Sequence, residues 1–174
     1  MQILTHPNPA LRQVCEVIDP TADPSVADLA RRMAETMYES EGIGIAASQV
    51  GVLKRLIVVD VEEDVVRPIA LCNPVVVAES EEREVVGEGC LSVPGIDVPI
   101  DRPVAIVVEA QSLDGSKVKF EADGLLARCI QHEIDHLDGF TIIERARPED
   151  RLAVLAAYRE AQAKGATERG SSKG

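Results

Sequence analysis

The segment "QHEIDHLDG", Gln131 to Gly139, contains two of the three histidines in this chain of 174 residues. Residues four apart on an α-helix lie on one face, so a helix here would bring His132 and His136 close enough to bind one ion. Glu133 follows the first histidine, where its carboxylate can take a proton from water without being a ligand itself. Two buried, hydrogen-bonded histidines are the alternative, but the complete H-E-x-x-H pattern favours a metal site.

The residues around this segment predict a helix buried in the core. In "DGLLARCIQHEIDHLDG" the apolar residues recur at helical spacing, Asp123 can cap the first turn, and Gly139 can end the last one. Similar signals predict a helix in "DPSVADLARRMAETMYESEG", where Asp23 can act as the cap and the methionines are expected to fill the core. A third helix, in "RPEDRLAVLAAYREAQAKG", is expected to be amphipathic and more exposed.

Short β-rich segments lie between the first helix and the motif helix. They are "LKRLIVVDV", "ALCNPVVV", "REVVG" and "PVAIVVEAQ". The last one leads into "SLDGSKVKFEA", where Asp114-Gly115 is a hairpin signal. Strands and helices do not alternate regularly, which favours an α+β fold over a doubly wound one. We expect small antiparallel or mixed β-sheets packed around a central metal-binding helix, with N-terminal and C-terminal helices.

Length and composition indicate one domain with its own core. The 174 residues are 45% hydrophobic but only 2% aromatic, with no Trp. We expect residues 1–164 to form a single catalytic domain and the polar residues 165–174 to form a disordered tail. The N-terminus shows no secretory signal, and no segment approaches the roughly 18 apolar residues of a membrane span. These features predict a cytoplasmic protein without a membrane partner.

The charge of the chain is acidic and unevenly distributed. The 18 Lys and Arg residues face 30 Asp and Glu residues, and the formal net charge of −12 argues against broad contact with nucleic acid. Residues 140–174 contain seven basic and five acidic residues, a charge of +2, so the rest of the chain carries −14. The four cysteines show no paired spacing and are expected to be free thiols.

The third ligand decides which class of metalloenzyme the motif belongs to. Ile142 stands where a metzincin protease would have its last histidine, which excludes that class. His6, the remaining histidine, lies in a Pro-flanked segment and is expected to be a surface or turn residue. Glu160 could be the third ligand of a His2Glu protease, and its spacing alone does not exclude this.

Two cysteines are further candidates for the third ligand. Cys129 and His136 are seven residues apart, a separation of about 10 Å along a helix axis, too long for two bonds of about 2.0 to 2.3 Å to one ion. Cys129 is therefore expected to belong to the core. Cys90 lies in "GEGCLSVPG", where Gly87 and Gly89 allow the backbone to approach a site closely. A small buried thiol is an equal alternative for Cys90 from this segment alone.

Three segments together resemble the peptide deformylase family. They are "GIGIAASQ" (Gly42 to Gln49), "EGCLS" (Glu88 to Ser92) and "QHEIDHLDG" (Gln131 to Gly139). They occur in that family's order and at its approximate spacing, and the resemblance runs from "HPNPALR" through "DGF". Ile45 stands where the family usually has leucine, and "FTIIERARPED" matches the family's usual "LFxD" poorly.

The resemblance implies a metal centre and a reaction. Cys90, His132 and His136 would bind one divalent ion, Fe²⁺ in the family's native state, and these ligands also tolerate Zn²⁺, Ni²⁺ or Co²⁺. The implied substrate is the N-terminal formyl-methionine of newly synthesised proteins, from which the formyl group is hydrolysed and released as formate. Glu133 would hold a proton of the attacking water and pass it to the leaving amine.

The resemblance also implies how charge and substrate are held. The side-chain amide of Gln49 and the backbone N–H of Leu91 would stabilise the developing oxyanion. Four residues are expected to line the peptide, with the glycines permitting strand-like pairing: Ile43, Gly44, Ile45 and Gly89. Glu88 and Arg102 are candidates for a supporting ion pair or for two surface charges. Asp135 could orient a ligand ring or be a solvated helix residue.

Other functions and a further partner are also considered. A His2Glu metalloprotease would leave Cys90 and Gln49 without a role, and the presence of Glu133 argues against a non-catalytic metal-binding or peptide-binding relative. The resemblance implies that the C-terminal helix can dock on the ribosome, and the charge of +2 on residues 140–174 fits this. A solvated helix without a partner is an equal alternative, and no specific recognition of nucleic acid is expected.

Overall fold

The computed structural model describes residues 1–62 and 66–171, with side chains up to Lys164. Its helices are α1 (Ser25–Glu39), α2 (Gly124–Leu137), α3 (Ile142–Arg145) and α4 (Arg151–Ser171). Its strands are β1 (Gly44–Ala46), β2 (Leu56–Val59), β3 (Ile69–Glu79), β4 (Arg83–Glu88), β5 (Val98–Pro103), β6 (Ala105–Gln111) and β7 (Lys117–Asp123). Two short 3₁₀ turns, Pro9–Arg12 and Ala47–Val50, complete these elements.

The described strands form two antiparallel sheets. One has five strands in the order β1-β2-β3-β6-β7, and the other is the pair β4-β5. The predicted hairpin is confirmed, since Gln111 pairs with Lys117 across the turn at Asp114 and Gly115. Gly115 has a φ of 83°, which a residue without a side chain adopts easily. The predicted α+β class is therefore confirmed.

The five-stranded sheet lies between α1 and α2. Successive side chains of a strand point to opposite faces, and all four residues of β2 are buried. Leu56 and Val58 pack with α1, whereas Ile57 and Val59 pack with α2. Met33, one of the methionines of α1, is fully buried in this core as predicted, and such burial stabilises the fold by about 1.5–3 kcal/mol.

The ends of α1 and α2 have clear local causes. The N-cap residue of α1 is Pro24, one residue after the predicted Asp23, but Asp23 Oδ1 still accepts a hydrogen bond from the first helical N–H, that of Ser25, at 3.0 Å. Asp123 is the residue before α2, but its side chain makes no capping hydrogen bond. Gly139 follows the end of α2 with a φ of 81°, and a Cβ there would lie 2.7 Å from the carbonyl oxygen of Arg12. Only glycine fits this left-handed position without moving the backbone.

The C-terminal helices cover a separate apolar cluster. Tyr158 of α4 packs with Ile142 and Ile143 of α3 and with Val98 and Ile100 of β5. The α4 backbone continues as helix to Ser171, past the end predicted for the domain at residue 164. The domain boundary and the disordered tail remain predictions, and residues 172–174 lie outside the described residues. In the part of the chain that is described, no helix is long and apolar enough to cross a membrane.

Candidate metal and catalytic centre

Helix α2 and the segment after β4 bring three potential ligands together. Cys90 Sγ lies 3.2 Å from His136 Nε2, and one ligand atom each from Cys90, His132 and His136 lies within 4.8 Å of the other two. The two imidazole rings are 5.1 Å apart between centroids, as expected for residues one helical turn apart. One thiolate and two imidazoles suit a divalent ion that keeps a position open for water. The residues present therefore fit the implied metal ion.

Glu88 orients one of these rings and is itself held by Arg102. Its Oε2 is 2.9 Å from His132 Nδ1, which leaves Nε2 of that ring for an ion. Arg102 donates from Nε to Oε1 at 2.6 Å and from Nη2 to Oε2 at 2.9 Å. Burial alone would raise the pKa of Glu88, but hydrogen bonds from Arg102 and His132 outweigh it and lower that pKa to about 2. The predicted Glu88–Arg102 ion pair is confirmed.

Asp135 has neither of the environments that were considered for it. It is only 6% exposed, and its carboxylate accepts hydrogen bonds from Arg102 and Arg145. It is therefore not a solvated helix residue, and its described partners are guanidinium groups rather than ligand rings. Asp135 supports the site by holding Arg102, which in turn holds Glu88.

The pKa values of the two histidines are shifted in opposite directions. Burial lowers the pKa of both rings, but in His132 the contacts with Cys90 and Glu88 outweigh burial and raise the pKa well above its ordinary value. In His136, burial and the nearby His132 lower the pKa well below its ordinary value. A neutral His136 is in the state that a metal ligand requires.

Glu133 is buried beside the ligands without joining them. It is 3% exposed, and burial raises the pKa of its carboxyl group to about 7. Its Oε2 and the Nδ1 of His136 are buried and have no hydrogen-bond partner within residues 1–62 and 66–171. A Cβ on Gly44 would lie 2.5 Å from Glu133 Oε1, so the glycine makes room for this carboxyl group. A carboxyl group whose pKa lies near 7 can both accept and donate a proton at neutral pH.

Gln49 points its amide N–H groups toward Cys90. Its Oε1 accepts a hydrogen bond from Ala46 N at 2.8 Å, and its Nε2 donates to Ser92 Oγ at 3.2 Å and lies 3.9 Å from Cys90 Sγ. The side chain is 1% exposed, so these contacts fix its orientation. The contact of Ser92 with Gln49 was not predicted, because it joins residues that are 43 positions apart. Leu91 follows Cys90 and lines the adjacent cavity.

A cavity of about 660 Å³ opens beside these residues. Among the residues predicted to line the substrate, Ile43, Gly44 and Gly89 border it. Ile45 does not contribute its side chain, because that side chain is fully buried with Met37 in the core on the α1 side of the sheet. β1 is the edge strand of the five-stranded sheet, so one side of it has no strand partner among the described strands.

The remaining candidate ligands lie elsewhere. Cys129 is buried, its Sγ is 3.4 Å from the carbonyl oxygen of Ile43, and burial raises the pKa of its thiol well above the ordinary value. It belongs to the core, as predicted. His6 lies in a turn and contacts Tyr158 through its ring. Glu160 is exposed on α4 and pairs with Lys164 at 2.8 Å. This environment does not suit the third ligand of a His2Glu site.

A thiol and two imidazoles that can hold one metal ion, with a buried carboxyl group beside them, form the side-chain set of a metal-dependent hydrolase. The family model described as polypeptide deformylase matches residues 1–152. The chain belongs to the peptide deformylase family, and it is a hydrolase that removes the N-formyl group from newly synthesised peptides.

Individual relatives agree over most of the chain. The peptide deformylase of Rhizobium meliloti (strain 1021) is 45% identical over 161 residues, which cover 91% of this chain and 92% of that protein. The peptide deformylase of Dictyoglomus thermophilum is 53% identical over 127 residues, which cover 73% and 80%. The crystal structure of a peptide deformylase from Legionella pneumophila matches with a TM-score of 0.86 and 34% identity, covering 95% of this chain and 96% of that one.

A second solved structure agrees with the first. The peptide deformylase from Synechococcus elongatus in complex with actinonin matches with a TM-score of 0.84 and 36% identity, covering 93% of this chain and 86% of that one. Both the architecture and the sequence of this chain are therefore similar to those of peptide deformylases over nearly their whole length.

Proposed function

We propose that this chain deformylates N-terminal formyl-methionine with one Fe²⁺ ion held by Cys90, His132 and His136. The observation that carries the proposal is the convergence of three ligand atoms within 4.8 Å beside the buried Glu133. An ion bound there would act as a Lewis acid and lower the pKa of water, which supplies a nucleophile near neutral pH. Fe²⁺ follows from the resemblance to the family, and Zn²⁺, Ni²⁺ or Co²⁺ would fit the same ligands.

Glu133 moves the proton in this proposal. Its carboxyl group, with a pKa of about 7, can take a proton from the attacking water and deliver it to the leaving amine. Gly44 approaches the carboxyl group so closely that a side chain there would displace it. The segment that lines the substrate therefore also sets the position of the proton carrier.

The oxyanion is stabilised by two N–H donors in this proposal. The Gln49 amide is held between Ala46 N and Ser92 Oγ, so its orientation is fixed before the reaction begins. Leu91, directly after Cys90, would supply its backbone N–H. Donors that are fixed in this way cost no reorganisation in the transition state.

The peptide binds along the edge of β1 in this proposal. An extended substrate can add to an unpaired strand edge through backbone hydrogen bonds, which requires little of the substrate's sequence. Ile43, Gly44 and Gly89 border the cavity at this edge. The role of Ile45 is limited to its backbone, because its side chain faces the core.

We further propose that this reaction takes place in the cytoplasm, where new peptides are made, and that α4 docks on the ribosome. Arg159 and Lys164 lie on exposed parts of α4, in the region of the chain with a charge of +2. The acidic remainder, with −14, would point away from the ribosomal RNA. No recognition of a particular nucleic-acid sequence is part of this proposal.

Formate release from a short formyl-Met peptide, measured anaerobically together with metal analysis, tests the proposed function. We expect formate to be released in proportion to bound metal, and a chelator to stop the reaction. Cleavage of unformylated peptides without formate release would instead support a metalloprotease and would refute the proposal. The exposed position of Glu160 speaks against that alternative.

A further inference from the structure

Arg128 occupies an unusual position on the face of α2 that borders the cavity. Leu125, Arg128, Cys129 and His132 follow one another at helical spacing and all line the cavity. The side chain of Arg128 is only 12% exposed. A guanidinium group that is nearly buried must have its donors satisfied, so its partners show what the residue does.

The two terminal nitrogens of Arg128 both donate to the two-stranded sheet. Nη1 donates to Glu88 Oε1 at 2.8 Å and to the carbonyl oxygen of Ile100 at 3.1 Å, and Nη2 donates to the carbonyl oxygen of Glu84 at 2.9 Å. Two of these acceptors are backbone atoms, one on β4 and one on β5. Arg128 therefore fastens both strands of this sheet to α2.

The fastened strand forms one wall of the cavity. β4 contributes Val86, Gly87 and Glu88 to the lining, whereas α2 contributes the facing stripe of residues. β4 and β5 belong to a different sheet from β1 and have no strand hydrogen bonds to it among the described strands. The width of the apolar part of the cavity thus depends on contacts between α2 and this smaller sheet.

We infer that Arg128 is a positioning residue that sets the width of the pocket for the first side chain of the substrate. The inference rests on the proposed function: with the formyl group beside the metal ligand His132, the neighbouring methionine side chain would lie in the part of the same cavity that Arg128 and Val86 line. An unbranched methionine side chain gains affinity from an apolar wall at contact distance. An alanine side chain does not reach that wall, so its turnover is independent of Arg128.

Glu88 retains other partners when Arg128 is replaced. Its two oxygens still accept hydrogen bonds from Arg102, and Oε2 remains beside His132. The ligand ring should therefore stay oriented, and metal content should not change. The effect of Arg128 on side-chain selection is thus separable from metal binding.

The experiment compares the metal-loaded protein with Arg128→Met and Arg128→Lys on two short peptides, formyl-Met-Ala and formyl-Ala-Ala. Arg128→Met keeps the apolar stem and removes every donor. We expect the kcat/KM for formyl-Met-Ala, divided by that for formyl-Ala-Ala, to fall by about tenfold in Arg128→Met. The fall should come mainly from a higher KM for formyl-Met-Ala. Lysine keeps the charge but not the fork geometry of arginine. The ratio for Arg128→Lys should therefore lie between those of the unsubstituted protein and Arg128→Met.

Arg83→Met is the matched control, because Arg83 is an exposed arginine on the same β4 strand and pairs with Asp101 at 2.9 Å. It should leave the ratio unchanged. An unchanged ratio in both Arg128 variants, a parallel fall for both peptides, or loss of metal would each overturn the inference. A failure of the unsubstituted protein to release formate would refute the proposed function instead, so the two failures are distinguishable.

Discussion

Helices α2 and α4 use polar residues in opposite ways. α2 buries Glu133, Asp135 and His136, whereas the Glu160–Lys164 pair of α4 keeps side-chain exposures of 68% and 72%. Burying a polar or charged group costs free energy unless it is paired or bound. The buried polar residues of α2 therefore indicate a functional site, whereas the exposed polar residues of α4 belong to a solvated surface. Substitutions that carry the same chemical change on the two kinds of residue test this difference.

Replacement of the two cysteines beside the site should give the largest contrast. Cys90→Ser should abolish tight metal binding and turnover, because a hydroxyl is a poor substitute for a thiolate. Cys129→Ser should keep the metal and reduce stability by at most a few kcal/mol, through burial of a polar group. Metal analysis of the two purified variants decides between these roles. Loss of metal from Cys129→Ser alone would contradict the geometry of the site.

Replacement of the carboxyl group on α2 should have the next largest effect. Glu133→Ala should retain its metal and lower kcat by about 10² to 10⁴, because Glu133 moves protons and does not bind the ion. Glu160→Ala is the matched control on α4, where turnover should be unchanged. Formate release and metal content are measured on both variants. If Glu133→Ala is isolated without metal, its assignment as a proton carrier is wrong.

The oxyanion donor should matter less than the proton carrier. Gln49→Leu should lower kcat/KM by about 10² to 10³ without loss of metal, because one N–H donor to the transition state is removed. Ser92→Ala should have a smaller effect, since it frees the amide without deleting it. Near-normal turnover of Gln49→Leu would show that Gln49 serves only the 3₁₀ turn in which it lies.

The features predicted correctly from sequence have local causes. The H-E-x-x-H spacing places its side chains on one helical face, and the Asp114-Gly115 turn fixes its own hairpin.

Strand β5, from Val98 to Pro103, was missed because Pro99 and Pro103 argue against a strand. It forms nonetheless, since it has β4 as its partner and its alternate residues Val98 and Ile100 are buried.

The features that were missed depend on tertiary structure. Glu88 and His132 are 44 residues apart, and no local pattern relates a carboxylate on β4 to a ring on α2. Arg128 was not singled out from the sequence, because its partners lie on β4 and β5, 28 to 44 residues away along the chain. Ile45 could not be assigned to a face, because three residues of β1 give too short a pattern to show which side is buried.

Tyr158 is a buried polar residue of α4, and in this respect it is similar to the buried polar residues of α2. Its hydroxyl group donates to the carbonyl oxygen of His6 at 3.0 Å, and the residue is 4% exposed. Tyr158→Phe should lower the free energy of unfolding by about 0.5–1.5 kcal/mol, the usual net contribution of one hydrogen bond. Thermal or denaturant unfolding measures this change, and turnover should be unaffected. A tenfold fall in kcat would show that α4 takes part in the chemistry.

Only a small effect on turnover is expected at the exposed basic residues of α4. Arg159→Glu combined with Lys164→Glu should change hydrolysis of a short formyl peptide by less than about twofold, since both lie outside the cavity. The same change should weaken salt-dependent binding to ribosomes by about tenfold or more, because two contacts with phosphate would become repulsive. Arg31→Glu on the exposed face of α1 reverses a charge away from α4 and should leave ribosome binding intact. Unchanged ribosome affinity in the α4 variant would reject the docking proposal while leaving the assignment of the α2 site untouched.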